Sequence, residues 1–324
     1  MAAAEHLGGR RDRSASGDPI GPESLLWRIA GDSRAALPGG ATGLLQLMYP
    51  PLGTAVAEQS GFFDDPFGRI WRSVPQIWAT IFEPDGGERA RRIRDLHMDI
   101  KGVDSGGRRF HALDPETFWW AHATFTWHMF RTAELFFPAG ALTAADRERL
   151  YAGTVAWYAR YGVSMRPVPP DYGSFQKAFD AFCAERLELT APAVRSIQIA
   201  RTDGIGAVPF VPSVALRAGR PVLRRLGTLV AIGCLPEPVR ERFDIEWTAS
   251  EQRRFDRMAA LVRTSARLVP RRLDRWMLLR QLRMIGAKTR HDRYRPAPIG
   301  DRGLGRGAAP EPEPDRISRR GDGR

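Results

Sequence analysis

A single histidine stands between two cations in the stretch Arg94-Asp-Leu-His-Met-Asp-Ile-Lys101. If this stretch is helical, Arg94, His97 and Lys101 occupy positions i−3, i and i+4 and lie on one helix face. A neutral imidazole is the commonest metal ligand, and Arg and Lys bind carboxylates through charge-assisted hydrogen bonds. Haem would bind both kinds of side chain, because it carries one iron for the imidazole and two propionates for the cations. The alternative is a surface or core histidine with a structural role only.

A second candidate group lies on the predicted helix Pro66–Phe82. Arg69, Arg72 and Ser73 stand at i, i+3 and i+4 and therefore share one face of that helix. A guanidinium can bind a propionate or polarise dioxygen, and a serine hydroxyl can donate a hydrogen bond to it. Arg72 is a poor iron ligand, because a guanidinium does not deprotonate in proteins. The alternative is an exposed cationic face.

The predicted helix Pro115–Phe136 carries His122 within a dense band of aromatic residues. Trp119, His122 and Thr126 share one face of this helix, and such rings could wall a flat macrocycle. Bands of this kind are more often ordinary core. His122 is thus a candidate second iron ligand, or a hydrogen-bonding partner of the first ligand.

The elements that must position these residues are mainly helical. Asp114-Pro115 has the pattern of an N-cap followed by proline at the first helical position, and Thr143 and Thr248 each begin a capping box. The turn that starts at Asp104 predicts a small hairpin. The predicted helices are Pro22–Gly31, Gly40–Met48, Leu52–Ser60, Pro66–Phe82, Gly87–Lys101, Pro115–Phe136, Ala144–Tyr161, Asp171–Leu189, Pro192–Arg201, Val211–Ala231, Glu237–Phe243, Ser250–Leu268 and Arg271–Gly286.

Length and composition predict one helical domain over residues 21–288, with disordered tails at 1–20 and 289–324. Two distant cysteines make a disulfide framework or a cysteine-ligated zinc site improbable. No apolar run reaches the roughly 18 residues that span a bilayer, and no secretory signal is recognisable. These observations predict a cytoplasmic protein.

Much of the net charge of +12 lies near the C-terminus, which argues against a nucleic-acid partner. The segment Arg271–Met284 is basic and partly amphipathic. It could rest on an anionic membrane surface, and the alternative is a solvated helix face.

An ordered set of motifs runs from about Leu44 to about Arg272. It comprises Asp-Pro-Phe-Gly-Arg-Ile-Trp-Arg-Ser, His-Met-Asp-Ile-Lys-Gly, a Gly-rich turn, Phe-His-Ala-Leu-Asp-Pro-Glu and Trp-Ala-His-Ala-Thr. Together these motifs resemble the MpaB/rubber-oxygenase family, which includes the latex-clearing proteins. The resemblance implies a helical bundle with a globin-like core that binds haem b and uses dioxygen on an apolar, lipid- or isoprenoid-like substrate.

The resemblance also implies roles for particular residues. His97 falls on the proximal haem ligand, Arg94 and Lys101 fall on basic positions around it, and His122 falls in the Trp-x-His-Ala-Thr motif. Arg69, Arg72 and Ser73 fall on the distal side of the haem. An axial histidine needs an acceptor for its second ring N–H, and the carbonyl of Ile93, one turn back, is the candidate.

Three departures keep other functions open. Tyr49 stands where the family often has histidine, and Arg72 stands where latex-clearing proteins have lysine. The glutamate base of those enzymes has no clear counterpart in this sequence. Glu58 and Asp64 are the acids nearest to the distal pocket that the resemblance implies. The alternatives are therefore a haem- or apolar-ligand-binding protein without turnover, and a basic module for a membrane or nucleic acid.

Overall fold

The computed structural model describes residues 19–202 and 213–266, with a few further positions (268, 276, 278–280, 282–283 and 286). Over these residues the fold is mainly α, as predicted. The helices are α1 (Leu25–Ala30), a 3-10 turn (Ser33–Ala36), α2 (Gly39–Leu47), α3 (Pro50–Gln59), α4 (Pro66–Phe82), α5 (Gly86–Asp95), α6 (Pro115–Phe136), α7 (Ala144–Ala159), α8 (Tyr172–Glu185), α9 (Ala191–Thr202), α10 (Ser213–Gly233), α11 (Glu237–Arg242) and α12 (Ala249–Ser265).

Helix α6 runs through the centre of the molecule and is packed by α1, α2, α3, α7 and α12. Its core side chains include Trp120, whose ring stacks on Phe182 of α8 with centroids 4.0 Å apart. His128 ties α6 to its neighbours: its Nδ1 lies 2.7 Å from Thr42 Oγ1, and its Nε2 donates to the carbonyl of Ala35. These contacts fix the helix that the candidate histidine packs against.

Local start signals give the right helix boundaries in several places. Pro66–Phe82 and Pro115–Phe136 begin and end where the sequence predicts. Both capping boxes are present, at Thr143 with Asp146 and at Thr248 with Glu251. Each N-cap hydroxyl accepts from a backbone N–H that the helix itself leaves unpaired.

The predicted hairpin is also confirmed. Strand β1 (Lys101–Val103) pairs antiparallel with β2 (Arg109–His111), and Gly102 lies opposite Phe110. Asp104 closes the turn, because its Oδ1 accepts from the backbone N–H groups of Gly106 and Arg108.

The predicted helix Gly87–Lys101 is wrong at its C-terminal end. Helix α5 ends at Asp95, and the chain then follows tight turns in which the N–H of His97 bonds to the carbonyl of Arg94. Lys101 is already in β1, where its carbonyl accepts from Gln59. Gly102, which follows the predicted helix, is likewise a residue of β1.

The remaining predictions fall largely outside the described residues. This holds for the two disordered tails and for most of the predicted helix Arg271–Gly286, of which only scattered positions are described. Among those positions, Leu278 and Leu282 are buried in the core, four residues apart. The globin-like arrangement of the core stays a prediction.

Candidate functional site

His97 is half-buried in the turn that follows α5. Its Nδ1 lies 2.7 Å from the carbonyl oxygen of Ile93, which is the acceptor that the sequence suggested. A carbonyl oxygen only accepts, so Nδ1 carries the proton and Nε2 of the neutral ring keeps its lone pair. No other described residue hydrogen-bonds the His97 ring. The ring is thus oriented through one nitrogen and available for a ligand through the other.

Burial lowers the pKa of His97 below its usual value, and the positive charge of Arg69 lowers it further. The hydrogen bond to Ile93 opposes this shift without reversing it. The imidazole is therefore neutral near pH 7, which is the state that coordinates a metal. One wall of its surroundings is Phe118 of α6, whose ring meets that of His97 edge-on at 6.3 Å.

Two of the three residues predicted on α4 act together. The guanidinium of Arg69 donates to the hydroxyl of Ser73, one turn along the helix. The same guanidinium is close enough to His97 to shift its pKa. Arg69 thus acts on both the hydroxyl of Ser73 on α4 and the histidine that follows α5.

Arg72 does not join this pair. Its side chain is exposed and forms an ion pair of 3.2 Å with Asp65, the N-cap residue of α4. At i+3 from Arg69 it lies on a neighbouring part of the helix surface, and the N-cap carboxylate draws it away. The structure gives Arg72 a contact at the start of α4 in place of one with His97.

The predicted common face of Arg94, His97 and Lys101 is wrong, because the helix ends before His97. Arg94 donates to the carbonyl of Tyr161 at 3.2 Å and also pairs with Asp95. It thereby links the end of α5 to the end of α7. Lys101 is exposed on β1 and extends from the hairpin.

His122 is fully buried, and burial lowers its pKa to about 4. Its Nε2 donates to the carbonyl of Thr154 at 2.9 Å, and the ring of Trp157 lies 4.7 Å away. A series of ring contacts joins His122 to His97. The ring of His122 contacts Tyr158, Tyr158 contacts Phe118, and Phe118 contacts His97. His122 thus supports the wall behind His97, and its Nε2 is already occupied.

Large apolar side chains flank this site and face solvent. Leu96 and Met98, on either side of His97, are 76% and 54% exposed. Ile70 and Val74 on α4, next to Arg69 and Ser73, are exposed as well. A surface that combines a neutral imidazole, a cation and apolar groups suits a ligand that is mostly apolar and carries a few charges.

The hairpin supplies a contact that sequence reasoning did not find. His111 of β2 donates from Nε2 to the carbonyl of Met98 at 2.8 Å, and its Nδ1 accepts from the N–H of Leu113. His111 therefore holds the turn that carries His97. An open depression of about 530 Å³ beside it is lined by Lys101, Gly102, Val103, Arg109, Phe110, His111 and Asp114.

The part of the chain that the structure describes contains neither a cluster of metal-binding side chains nor a membrane-spanning helix. No group of three or more His, Cys, Asp or Glu side chains there could hold a metal ion. None of the helices described is both long enough and apolar enough to cross a membrane.

Comparison with known proteins agrees with the motifs. Residues 27–264 match the family described as ER-bound oxygenase mpaB/B'/Rubber oxygenase, catalytic domain. The chain therefore belongs to the MpaB/rubber-oxygenase family, and every candidate site residue named above lies within the matched range.

Two curated relatives are an uncharacterized protein of Mycobacterium bovis and an uncharacterized protein of Mycobacterium tuberculosis. Each is 24% identical to this chain over 261 residues, which is 78% of this chain and 97% of the relative. No solved structure matches the chain.

Proposed function

We propose that this protein is a haem-b-dependent oxygenase that acts with dioxygen on an apolar, lipid- or isoprenoid-like substrate. The observation that carries the proposal is the geometry of His97. Its Nδ1 is held by Ile93, its pKa is lowered, and no described residue occupies its Nε2. Membership of an oxygenase family supports the same reading.

The side chains of the site have the chemistry that haem binding requires. A single neutral imidazole is the protein ligand that haem iron takes in many proteins, because the macrocycle itself supplies further iron ligands. The hydrogen bond to Ile93 strengthens the imidazole as a ligand and fixes its direction. Phe118 and the exposed apolar side chains beside His97 offer the kind of surface on which a flat macrocycle rests.

The cations divide into two roles in this proposal. Lys101 is exposed on the hairpin and is the candidate partner of a propionate. Arg94 is committed to Tyr161 and Asp95, so it positions the turn of His97 and does not need to touch the cofactor. His122 likewise acts through the aromatic wall and not as an iron ligand.

When bound, haem would supply the activation of dioxygen, and the protein would supply ligation, orientation and an apolar surface. Arg69 and Ser73 would offer hydrogen-bond donors to dioxygen. Arg72 is left out of this group because it is exposed and paired with Asp65.

A second candidate function is a haem- or apolar-ligand-binding protein without turnover. The observation that favours it concerns the candidate bases: Glu58 and Asp64 are both exposed. The charged side chain that acts on His97 is a cation, Arg69. Proton removal from a substrate would then fall to neither of these two acids.

A haem titration followed by oxygen uptake tests the proposal. The purified protein is titrated with haem in an absorption cuvette, and oxygen consumption is then followed with squalene and with oleic acid as probes. We expect saturable binding and substrate-dependent uptake of oxygen. Saturable binding without uptake would support the binding protein, and no binding would overturn both. His6→Ala, outside the family match, is the control for His97→Ala.

A further inference from the structure

The middle of α10, from position 217 to 225, is far more exposed than the C-terminal part of the helix. From position 217 to 225 only Gly219 and Leu223 are half-buried, and the other seven residues are exposed. At 100° per residue these seven lie on one continuous side of the helix. Four of them are arginines, Arg217, Arg220, Arg224 and Arg225, which we call the basic face of α10.

The C-terminal half of α10 anchors the helix to the core. Leu229 and Ile232 are buried. Ala231 lies against Gly40 of α2 so closely that a Cβ at Gly40 would meet its side chain at 2.9 Å. Thr228 donates to the carbonyl of Ala200 at 2.9 Å. The basic face is thus presented by a helix whose other half is fixed.

The charge of this face has one sign. The sequence of α10 contains four arginines and no Asp or Glu. A row of guanidinium groups on a helix without acidic residues creates a positive potential that attracts an extended anionic surface. We propose that the basic face of α10 docks the protein on an anionic lipid bilayer.

The apolar residues of the same face favour a bilayer over a nucleic acid. Val222 stands among the arginines and is 60% exposed, and Pro221 beside it is exposed too. Apolar groups between cations insert at the boundary of headgroups and acyl chains. Helix α10 has no aromatic, Asn or Gln side chain, so it lacks the groups that stack on bases or read their edges.

This surface is distinct from the basic C-terminal segment Arg271–Met284, whose membrane contact stays a prediction. The described residues of that segment divide into buried leucines and exposed residues. Leu278 and Leu282 are buried, whereas Trp276, Arg280 and Arg283 are exposed. The test must therefore separate α10 from the C-terminal segment while the chain stays whole.

Co-sedimentation of the full chain with vesicles makes that separation. The vesicles are phosphatidylcholine alone, or phosphatidylcholine mixed with phosphatidylserine. The test variant is the triple change Arg217→Gln, Arg224→Gln and Arg225→Gln. The matched control removes three exposed arginines elsewhere, by Arg91→Gln, Arg109→Gln and Arg166→Gln. Both triple variants lose the same charge and keep the C-terminal segment.

We expect the unchanged protein to sediment with the mixed vesicles and not with phosphatidylcholine alone. Each arginine near an anionic bilayer contributes roughly a fivefold factor to partitioning, so the α10 triple variant should partition about a hundredfold less. The control variant should keep most of the binding. Val222→Ser in the otherwise unchanged chain should weaken binding about threefold or more, because an inserted apolar side chain is lost.

Three results would overturn the proposal. Equal loss in both triple variants would mean that net charge alone governs binding. Undiminished binding of the α10 variant would assign the contact to another surface, the C-terminal segment first. Binding of single-stranded RNA that depends on the three arginines and is indifferent to Val222→Ser would assign the face to nucleic acid.

Discussion

His97, in the turn that follows α5, donates its Nδ1–H over 2.7 Å to the carbonyl oxygen of Ile93 in the last turn of that helix. The bond holds the imidazole by the same short segment that carries it. It sets the tautomer and leaves Nε2 directed elsewhere. The orientation of the candidate ligand is therefore a local property of the chain, whereas the position of the whole turn depends on distant contacts.

Arg94 supplies one of those distant contacts. The substitution Arg94→Met should therefore lower the stability of the haem-free protein. Loss of its hydrogen bonds to Tyr161 and Gly162 should cost about 1–2 kcal/mol, since a charged donor is removed from partly buried carbonyls. Thermal unfolding should show a Tm lower by about 2–5 °C. Arg91→Met, on the same helix and exposed, is the control. Unchanged stability with weakened haem binding would instead mean that Arg94 holds a propionate.

Gly162 should be coupled to Arg94. Gly162 has φ of +66°, and a Cβ there would approach Arg94 Nη1 at 3.0 Å. Gly162→Ala should cost about 1–2 kcal/mol for the left-handed backbone and should disturb Arg94 as well. In urea unfolding, the double variant with Arg94→Met should lose less stability than the two single changes added together. Strict additivity would show that the two residues act independently.

The stability of the fold should fall on mild acidification because of His122 and His128. Burial lowers the pKa of each to about 4, well below the usual value of 6.5. Below pH 6.5 the unfolded chain therefore binds protons that the folded chain does not bind. The two neutral histidines contribute their full share to the free energy of unfolding above pH 6.5. This contribution is lost as the pH falls towards about 4, and it changes no further below that pH.

Urea unfolding between about pH 6 and pH 5 measures this loss, and each buried histidine should contribute up to about 1.4 kcal/mol per pH unit. His128→Gln should be less stable at pH 7, because the contacts to Thr42 and Ala35 change. Its stability should nevertheless depend less on pH. A variant with the same slope as the unchanged protein would contradict the assignment.

The parts of the fold that were predicted correctly are those whose causes lie close together in the sequence. The N-cap at Thr143 and the proline at position 115 begin helices through groups within four residues. The bond from His97 to Ile93 is local in the same way. Each could be foreseen because backbone geometry and side-chain chemistry decide it.

The errors arose where distant residues decide. Helix α5 stops at Asp95 because the chain beyond it pairs with β2, where His111 reaches Met98 and Lys101 meets Gln59 of α3. The acceptor of Arg94 lies 67 residues away, at Tyr161. Helical spacing alone could not show these partners, so the supposed common face of Arg94, His97 and Lys101 failed.

Arg69 and Arg72 should differ sharply in a turnover assay if the proposed function holds. Arg69→Gln removes a cation that acts on His97 and a donor to Ser73, so oxygen uptake should fall by about tenfold to a thousandfold. Arg72→Gln removes an exposed ion pair with Asp65 and should leave uptake within about twofold. Equal losses in the two variants would contradict the division that the structure makes on α4.

Chemical rescue of a His97→Gly variant tests whether His97 is the iron ligand. The variant and the unchanged protein are reconstituted with haem, and absorption spectra are recorded in the oxidised and dithionite-reduced forms, with and without added imidazole. We expect the variant to lose the spectrum of a histidine-ligated haem and imidazole to restore it, since a free ring can enter the vacated space. A variant with an unaltered haem spectrum before imidazole is added would show that another residue binds the iron.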